Sequence, residues 1–147
     1  ATMDVLTAVV ASAGFTDENL FCLVSCRIAN LSLEHGYTDG SCIAYVCLGM
    51  LLGPRFGNYS AGFSFGKLGL DLVERRELHR FEARVCNLFG QAVPWTQPVR
   101  PAISLLRRAL DAANRLGDVG FAVSAVESGN GAITELDRGD FDVILLD

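Results

Sequence analysis

An offset of about 41 residues brings one part of this 147-residue chain into register with another. Leu48-Gly49 falls over Phe89-Gly90, Ala61 over Ala102, and Leu68 over Ala109. Several of the matched positions are Gly or Ala, and short side chains sit where two helices must approach closely. A unit of this length holds two helices. Such a hairpin cannot bury its own apolar face and needs a neighbour of the same kind. The repeat therefore points to a stack of antiparallel helical hairpins, with two full copies and part of a third before them.

The punctuation agrees with that reading. Asp17 can cap a helix that runs to about Glu34 and stops at His35-Gly36. Its apolar positions Leu20, Leu23, Val24, Ile28, Leu31 and Leu33 approximate a 3.6-residue stripe. Thr38 or Asp39 starts a second helix through Tyr45, Leu48 and Leu52, which is expected to end at Gly53-Pro54. Asn58 opens a third, containing Phe63, Leu68, Leu70, Leu72 and Val73. A fourth is expected over 77–93, broken by Pro94. A fifth begins at Pro98 or Pro101, because proline suits the first helical position, and runs to Gly117.

Half of the residues are hydrophobic, yet no window is long and apolar enough for a membrane-spanning helix. The nearest candidate, residues 42–52, has about half the length required. A net charge of −5 argues against nucleic acid as a partner, since counterion release needs clustered cations. Arg75, Arg76, Arg80 and Arg84 do cluster, but Glu74, Glu77 and Glu82 interleave with them. That pattern is expected to be a solvated helix face laced with i,i+4 pairs. Residues 1–14 are apolar but lack a basic leading segment, so export is not expected and the cytoplasm is the expected location.

Few residues point to chemistry. Cys22, Cys26, Cys42, Cys47 and Cys86 are an odd set inside apolar helical patterns, expected to be reduced core thiols. A zinc site would need the Cys22/Cys26 pair to meet the awkwardly spaced Cys42/Cys47 pair, and no metal is expected. His35 and His79 fall beside helix ends, where helix-terminal interactions account for them. Gly53-Pro54-Arg55-Phe56-Gly57 and Gly62-x-x-x-Gly66 are glycine-rich, but no Lys-Ser/Thr follows to hold a phosphate, and Lys67 is the single lysine. Trp95 reads either as a partner-facing aromatic or, more simply, as a wedge that fixes the crossing of two helices. No nucleophile-elbow spacing occurs, and the chain is not expected to be an enzyme.

Phe56-Gly57-Asn58-Tyr59-Ser60-Ala61-Gly62 resembles the turn and second-helix start of tetratricopeptide repeats. A longer run resembles the helical region of large bacterial sensor kinases, where it lies between an AAA-type ATPase module and GAF, histidine-kinase and receiver modules. The matching residues include Phe15-Thr16-Asp17, Asn30-Leu31-Ser32-Leu33-Glu34-His35-Gly36, Gly53-Pro54-Arg55-Phe56-Gly57, Pro94-Trp95-Thr96 and Asp111-Ala112-Ala113-Asn114. This resemblance spans about residues 14–118. It implies a regulatory scaffold that makes protein–protein contacts through a helical face, with a histidine kinase or other segments of a parent signalling protein as partners, and it assigns no catalytic residue.

The end of the chain reads differently. Gly120-Phe121-Ala122-Val123-Ser124-Ala125-Val126 looks like a strand, a short helix-like run follows, and Phe141-Asp142-Val143-Ile144-Leu145-Leu146-Asp147 looks like a second strand ending on a carboxylate. Open parallel sheets present reactive acids at that edge. The segment resembles the receiver domain of two-component response regulators through Val123, Val126, Gly129, Ala132, Leu136, Gly139 and residues 141–147. The resemblance implies Asp147 as phospho-acceptor. Mg²⁺ is expected only for a complete receiver, because the metal-binding acidic pair has no counterpart upstream of Phe121, and no other cofactor is expected. The expected organisation is a helical-repeat region over 1–118 joined to a partial receiver over 119–147: a mostly α fold with a β-α-β tail.

Overall fold

The computed structural model of the chain describes residues 2–138. Within them are seven α-helices and one short 3₁₀ turn, with no strand. They are α1 (Thr2–Thr16), α2 (Glu18–His35), α3 (Ser41–Phe56), α4 (Tyr59–Arg76), α5 (His79–Ala92), α6 (Val99–Leu116) and α7 (Val119–Arg138), with the 3₁₀ turn Val93–Trp95 after α5.

Local chemistry sets most of the boundaries. Asp17 caps α2, its Oδ1 accepting from the Asn19 and Leu20 amides at 2.9 and 3.1 Å. Asn58 caps α4 by accepting from the Ala61 amide at 3.1 Å. Both satisfy amides that a helix start leaves without intrahelical partners. Gly57 and Gly117 end α3 and α6 with positive φ. Glu77, the one described non-glycine with positive φ, ends α4, so the helix expected from residue 77 starts two residues later.

One sequence expectation shifts in the first half, at Pro54. The apolar N-terminal stretch is itself a helix, α1. Pro54 does not stop α3, which continues to Phe56; so near the end its missing amide removes one backbone hydrogen bond, and the Gly57 and Asn58 amides close the helix on the Gly53 and Leu52 carbonyls.

The helices pair as antiparallel hairpins α1–α2, α3–α4 and α5–α6, and α7 packs antiparallel to α6 and alongside α5. The tightest pair is α3–α4. A Cβ on Gly49 would lie 2.6 Å from the Gly62 carbonyl oxygen and 3.0 Å from the Gly66 nitrogen, and one on Gly69 would lie 2.7 Å from the Cys42 carbonyl oxygen. The glycines flagged in the sequence are thus the contact surface of two helices. One repeat on, Gly90 occupies the place of Gly49 and faces Ala102 and Leu106 of α6. The main core gathers Val24 and Ile28 from α2, Ile43, Val46 and Cys47 from α3, Val73 from α4, and Phe81, Val85 and Phe89 from α5. Trp95 and Tyr59 meet edge to face, 5.9 Å between centroids, and both flank Gly53. Trp95 therefore wedges the end of one hairpin.

The β-α-β tail is overturned. Residues 119–138, expected to hold the first strand and then a helix, form the continuous helix α7. Phe121 and Ala122 pack on Ala83, Ala112 and Ala113, and Ala125 packs with Cys86 and Ala109. Positions 121, 122 and 125 have helical spacing, and small residues on α5 and α6 let the backbone approach. Asp118 caps the start by accepting from the Phe121 amide at 3.3 Å. A strand here would need a partner strand for its amides and carbonyls, whereas a helix satisfies its own. The lower helix preference of valine, a few tenths of a kcal/mol per residue, is outweighed. The second expected strand and Asp147 lie outside the described residues, and the expected junction at 118/119 falls at the turn between α6 and α7.

Candidate functional site: a groove across the odd-numbered helices

A groove of about 330 Å³ crosses one side of the stack. Its walls come from every odd-numbered helix: Val10, Gly14 and Phe15 of α1, Ile43, Met50 and Leu51 of α3, Asn87, Leu88 and Gln91 of α5, and Phe121 and Ser124 of α7. Phe21, at the start of α2, closes the near end. The lining is mostly aliphatic and aromatic, and Phe15 is 79% exposed at the rim.

The polar groups are few and placed. Asn87 is 1% exposed, and its Nδ2 donates to Ser124 Oγ at 3.0 Å, tying α5 to α7. Charges stand at the rim. Arg55 pairs with Glu18 at 3.3 Å and donates to Asn19 Oδ1 at 3.1 Å. Arg84 reaches Asp118 at 3.6 Å and lies over the Phe121 ring. The Arg55–Glu18 pair is exposed and weak, the Arg84–Asp118 pair is half-buried, and together they border the opening.

The interleaved Arg/Glu run is not laced within its own helices, as the sequence suggested. It ties separate elements together. Arg108 of α6 bonds Glu82 of α5 at 2.7 Å and Glu74 of α4 at 2.5 Å, and Arg115 joins Glu82 at 3.0 Å. Glu82 is 8% exposed. Burial alone would raise its pKa, but the Arg108 hydrogen bond and the charges of Arg108 and Arg115 outweigh it and hold the carboxyl below its usual range. Burial would likewise lower the pKa of Arg108, and its bonds to Glu74 and Glu82 reverse that. Arg76 and Arg80 turn instead to Asp39, at 3.8 and 3.5 Å. With Arg27 and His35 they border a wider, polar hollow that also contains Asp4 and Asp39.

The cysteines do not converge as a ligand set. Cys42 and Cys47 are buried in α3 and Cys86 in α5, and burial pushes the first two up to about 12 and the third to about 11. Cys22 and Cys26 lie on α2, half-buried and exposed. Among the described residues no group of three or more His, Cys, Asp and Glu is arranged to hold a metal ion. Asp147, the implied phospho-acceptor, lies outside those residues. His35 and His79 are exposed at helix ends, each near a glutamate, Glu34 at 3.9 Å and Glu82 at 3.8 Å. No helix among the described residues is long and apolar enough to cross a membrane.

Among the other aromatic residues, Tyr45 is buried against Phe65 and Tyr37, and Phe63 packs on Phe89 with centroids 5.4 Å apart. Neither Tyr45, Phe63 nor Trp95 lines the groove. The groove residues escaped sequence reading because they are spread from α1 to α7 and come together only through stacking. The fold is a stack of helical hairpins with a groove along one side. Comparison with protein-family models, curated proteins and solved structures finds no match.

Proposed function

We propose that this chain is a non-catalytic helical-repeat scaffold, part of the regulatory region of a large cytoplasmic signalling protein of the histidine-kinase type, and that its groove holds a peptide segment of that protein or of a partner. The observation that carries this reading is the derivation of one apolar groove from α1, α3, α5 and α7 together. Stacked hairpins bind along such continuous faces because each repeat contributes an equivalent strip. Pockets with an apolar lining and a few placed polar groups, of about 300–1,000 Å³, are where ligands bind, and a groove at the small end of that range suits one or two side chains of a peptide.

Selection of a displayed random-peptide library on the purified chain tests this. Enriched peptides should bind the wild-type protein and lose binding to Met50→Lys and Leu88→Lys, two half-buried groove positions, while circular dichroism shows both variants folded. Failure to enrich any peptide, or binding indifferent to both substitutions, would sink the proposal.

A further inference from the structure

The outer side of α2 breaks the pattern of the other even-numbered helices. On α4 the exposed positions turned away from the stack include Ser60, Ser64, Lys67 and Arg75, and on α6 they include Arg100, Ser104, Arg107 and Asp111, all polar. On α2 they are Leu23, Cys26, Asn30 and Leu33, the two leucines 69% and 73% exposed. None of these four lines the groove. Their spacing of three, four and three residues is that of the seam between two paired helices, apolar except for one asparagine, a residue that fixes register at some cost in stability. The opposite side of α2, with Val24, Ser25, Ile28 and Ser32, already faces the core, so the stack itself makes no use of this second stripe.

Charge on the flank of the stripe selects its occupant. Arg27 and Glu34 lie one heptad apart on the same edge of α2, both exposed. Among the described residues Arg27 makes no ion pair, and Glu34 meets only His35, at 3.9 Å. In a parallel pair of α2 helices that edge would face the other edge of the partner copy, Cys22 and Ala29, which carries no charge. In an antiparallel pair like edges meet, and each Arg27 comes beside the partner copy's Glu34, twice by symmetry. Antiparallel helix dipoles add to the same preference. We propose that two copies of this chain associate through α2, antiparallel about a two-fold axis, with Leu23 against the partner copy's Leu33 and Cys26 against the partner copy's Asn30. The seam is about 15 Å long at the α-helical rise per residue, which places it among the small contacts that form and dissociate readily. The association is independent of what the groove holds.

Sedimentation velocity of the purified full chain over a micromolar concentration series tests this, and a monomer–dimer equilibrium is expected. Arg27→Glu and Glu34→Arg should each weaken the dimer by about tenfold, because either reversal turns two attractions into two repulsions. The double variant should return to within about twofold of wild type, a rescue that damage to folding could not produce. Register is read by cross-linking with oxidised glutathione as electron acceptor. Asn30→Cys places a thiol opposite the partner copy's Cys26 and should run as a covalent dimer on a non-reducing gel. In the wild type the two Cys26 residues are offset along the seam, beyond the reach of a disulfide, and should not join. A chain that stays monomeric across the series, a dimer indifferent to both charge reversals, an Asn30→Cys variant that does not cross-link, or a disulfide between the two wild-type Cys26 residues would each overturn the proposal.

Discussion

Gly49→Ala and Gly131→Ala are the same chemical change with opposite expected signs. In either helix the added methyl favours helical backbone by about 1 kcal/mol, the intrinsic difference between Ala and Gly. At Gly131 the new Cβ meets nothing within 4 Å among the described residues, so the gain stands alone. At Gly49 it would lie 2.6 Å from the Gly62 carbonyl oxygen and 3.0 Å from the Gly66 nitrogen. Those are backbone atoms of α4 and cannot rotate aside, so α3 and α4 must separate along their closest stretch. Overpacking of that kind costs about 3 kcal/mol, the upper end of its usual range, which leaves a net loss of about 2 kcal/mol. In a chain of this length each kcal/mol moves the thermal midpoint by about 2–4 °C. Far-UV circular dichroism melts should therefore place Gly49→Ala about 4–8 °C below the wild type and Gly131→Ala about 2–4 °C above it. A Gly49→Ala midpoint at or above wild type would refute the close approach of α3 and α4. A lowered midpoint for Gly131→Ala would refute a helix through that part of α7.

The buried carboxylate gives a pH-dependent counterpart. Glu82 has a depressed pKa in the folded chain, so its contribution to stability is present above the ordinary carboxylate range and is lost as pH falls through its folded value. Glu82→Gln should destabilise the protein by about 1.5–3 kcal/mol at neutral pH and flatten the acid limb of the stability profile; an unchanged acid limb in urea titrations would contradict this. Asp17→Ala removes the α2 cap and should cost about 1 kcal/mol, read from the same titrations. Because burial pushes Cys42 and Cys47 to about 12 and Cys86 to about 11, thiol alkylation of the native protein at mild pH should modify Cys22 and Cys26 alone, and mass spectrometry should show the other three reacting only after denaturation.

How much of this was legible depended on whether the signal was local. Asp17, Asn58 and Gly117 act within a turn of their own positions, and the helix boundaries they imply are those observed, whereas the end expected at Gly53-Pro54 falls instead at Gly57. The 41-residue offset located Gly49 and Gly90, because close helix approach demands small residues wherever it occurs. Phe121 to Val126 misled because a valine-rich alternation mimics a strand, while the residues that decide the matter, Ala83, Ala109, Ala112 and Ala113, lie earlier in the chain. Interleaved Arg and Glu residues announced charge but not geometry: Glu82 finds its partners 26 and 33 residues away. The groove is the extreme case. Its walls are separated by most of the chain.

The ion cluster joining Glu74, Arg108, Glu82 and Arg115 links α4, α5 and α6, and so spans the seam between two successive hairpins. In a linear array each module holds its neighbours in place, and the strength of the seam decides whether the array melts as one body or module by module. Dissolved salt screens the exposed arm through Glu74 more than the buried arm through Glu82, so ionic strength becomes a dial on cooperativity. At low salt the second and third hairpins should lose structure in a single step, and at high salt the same protein should come apart over a broader span of temperature.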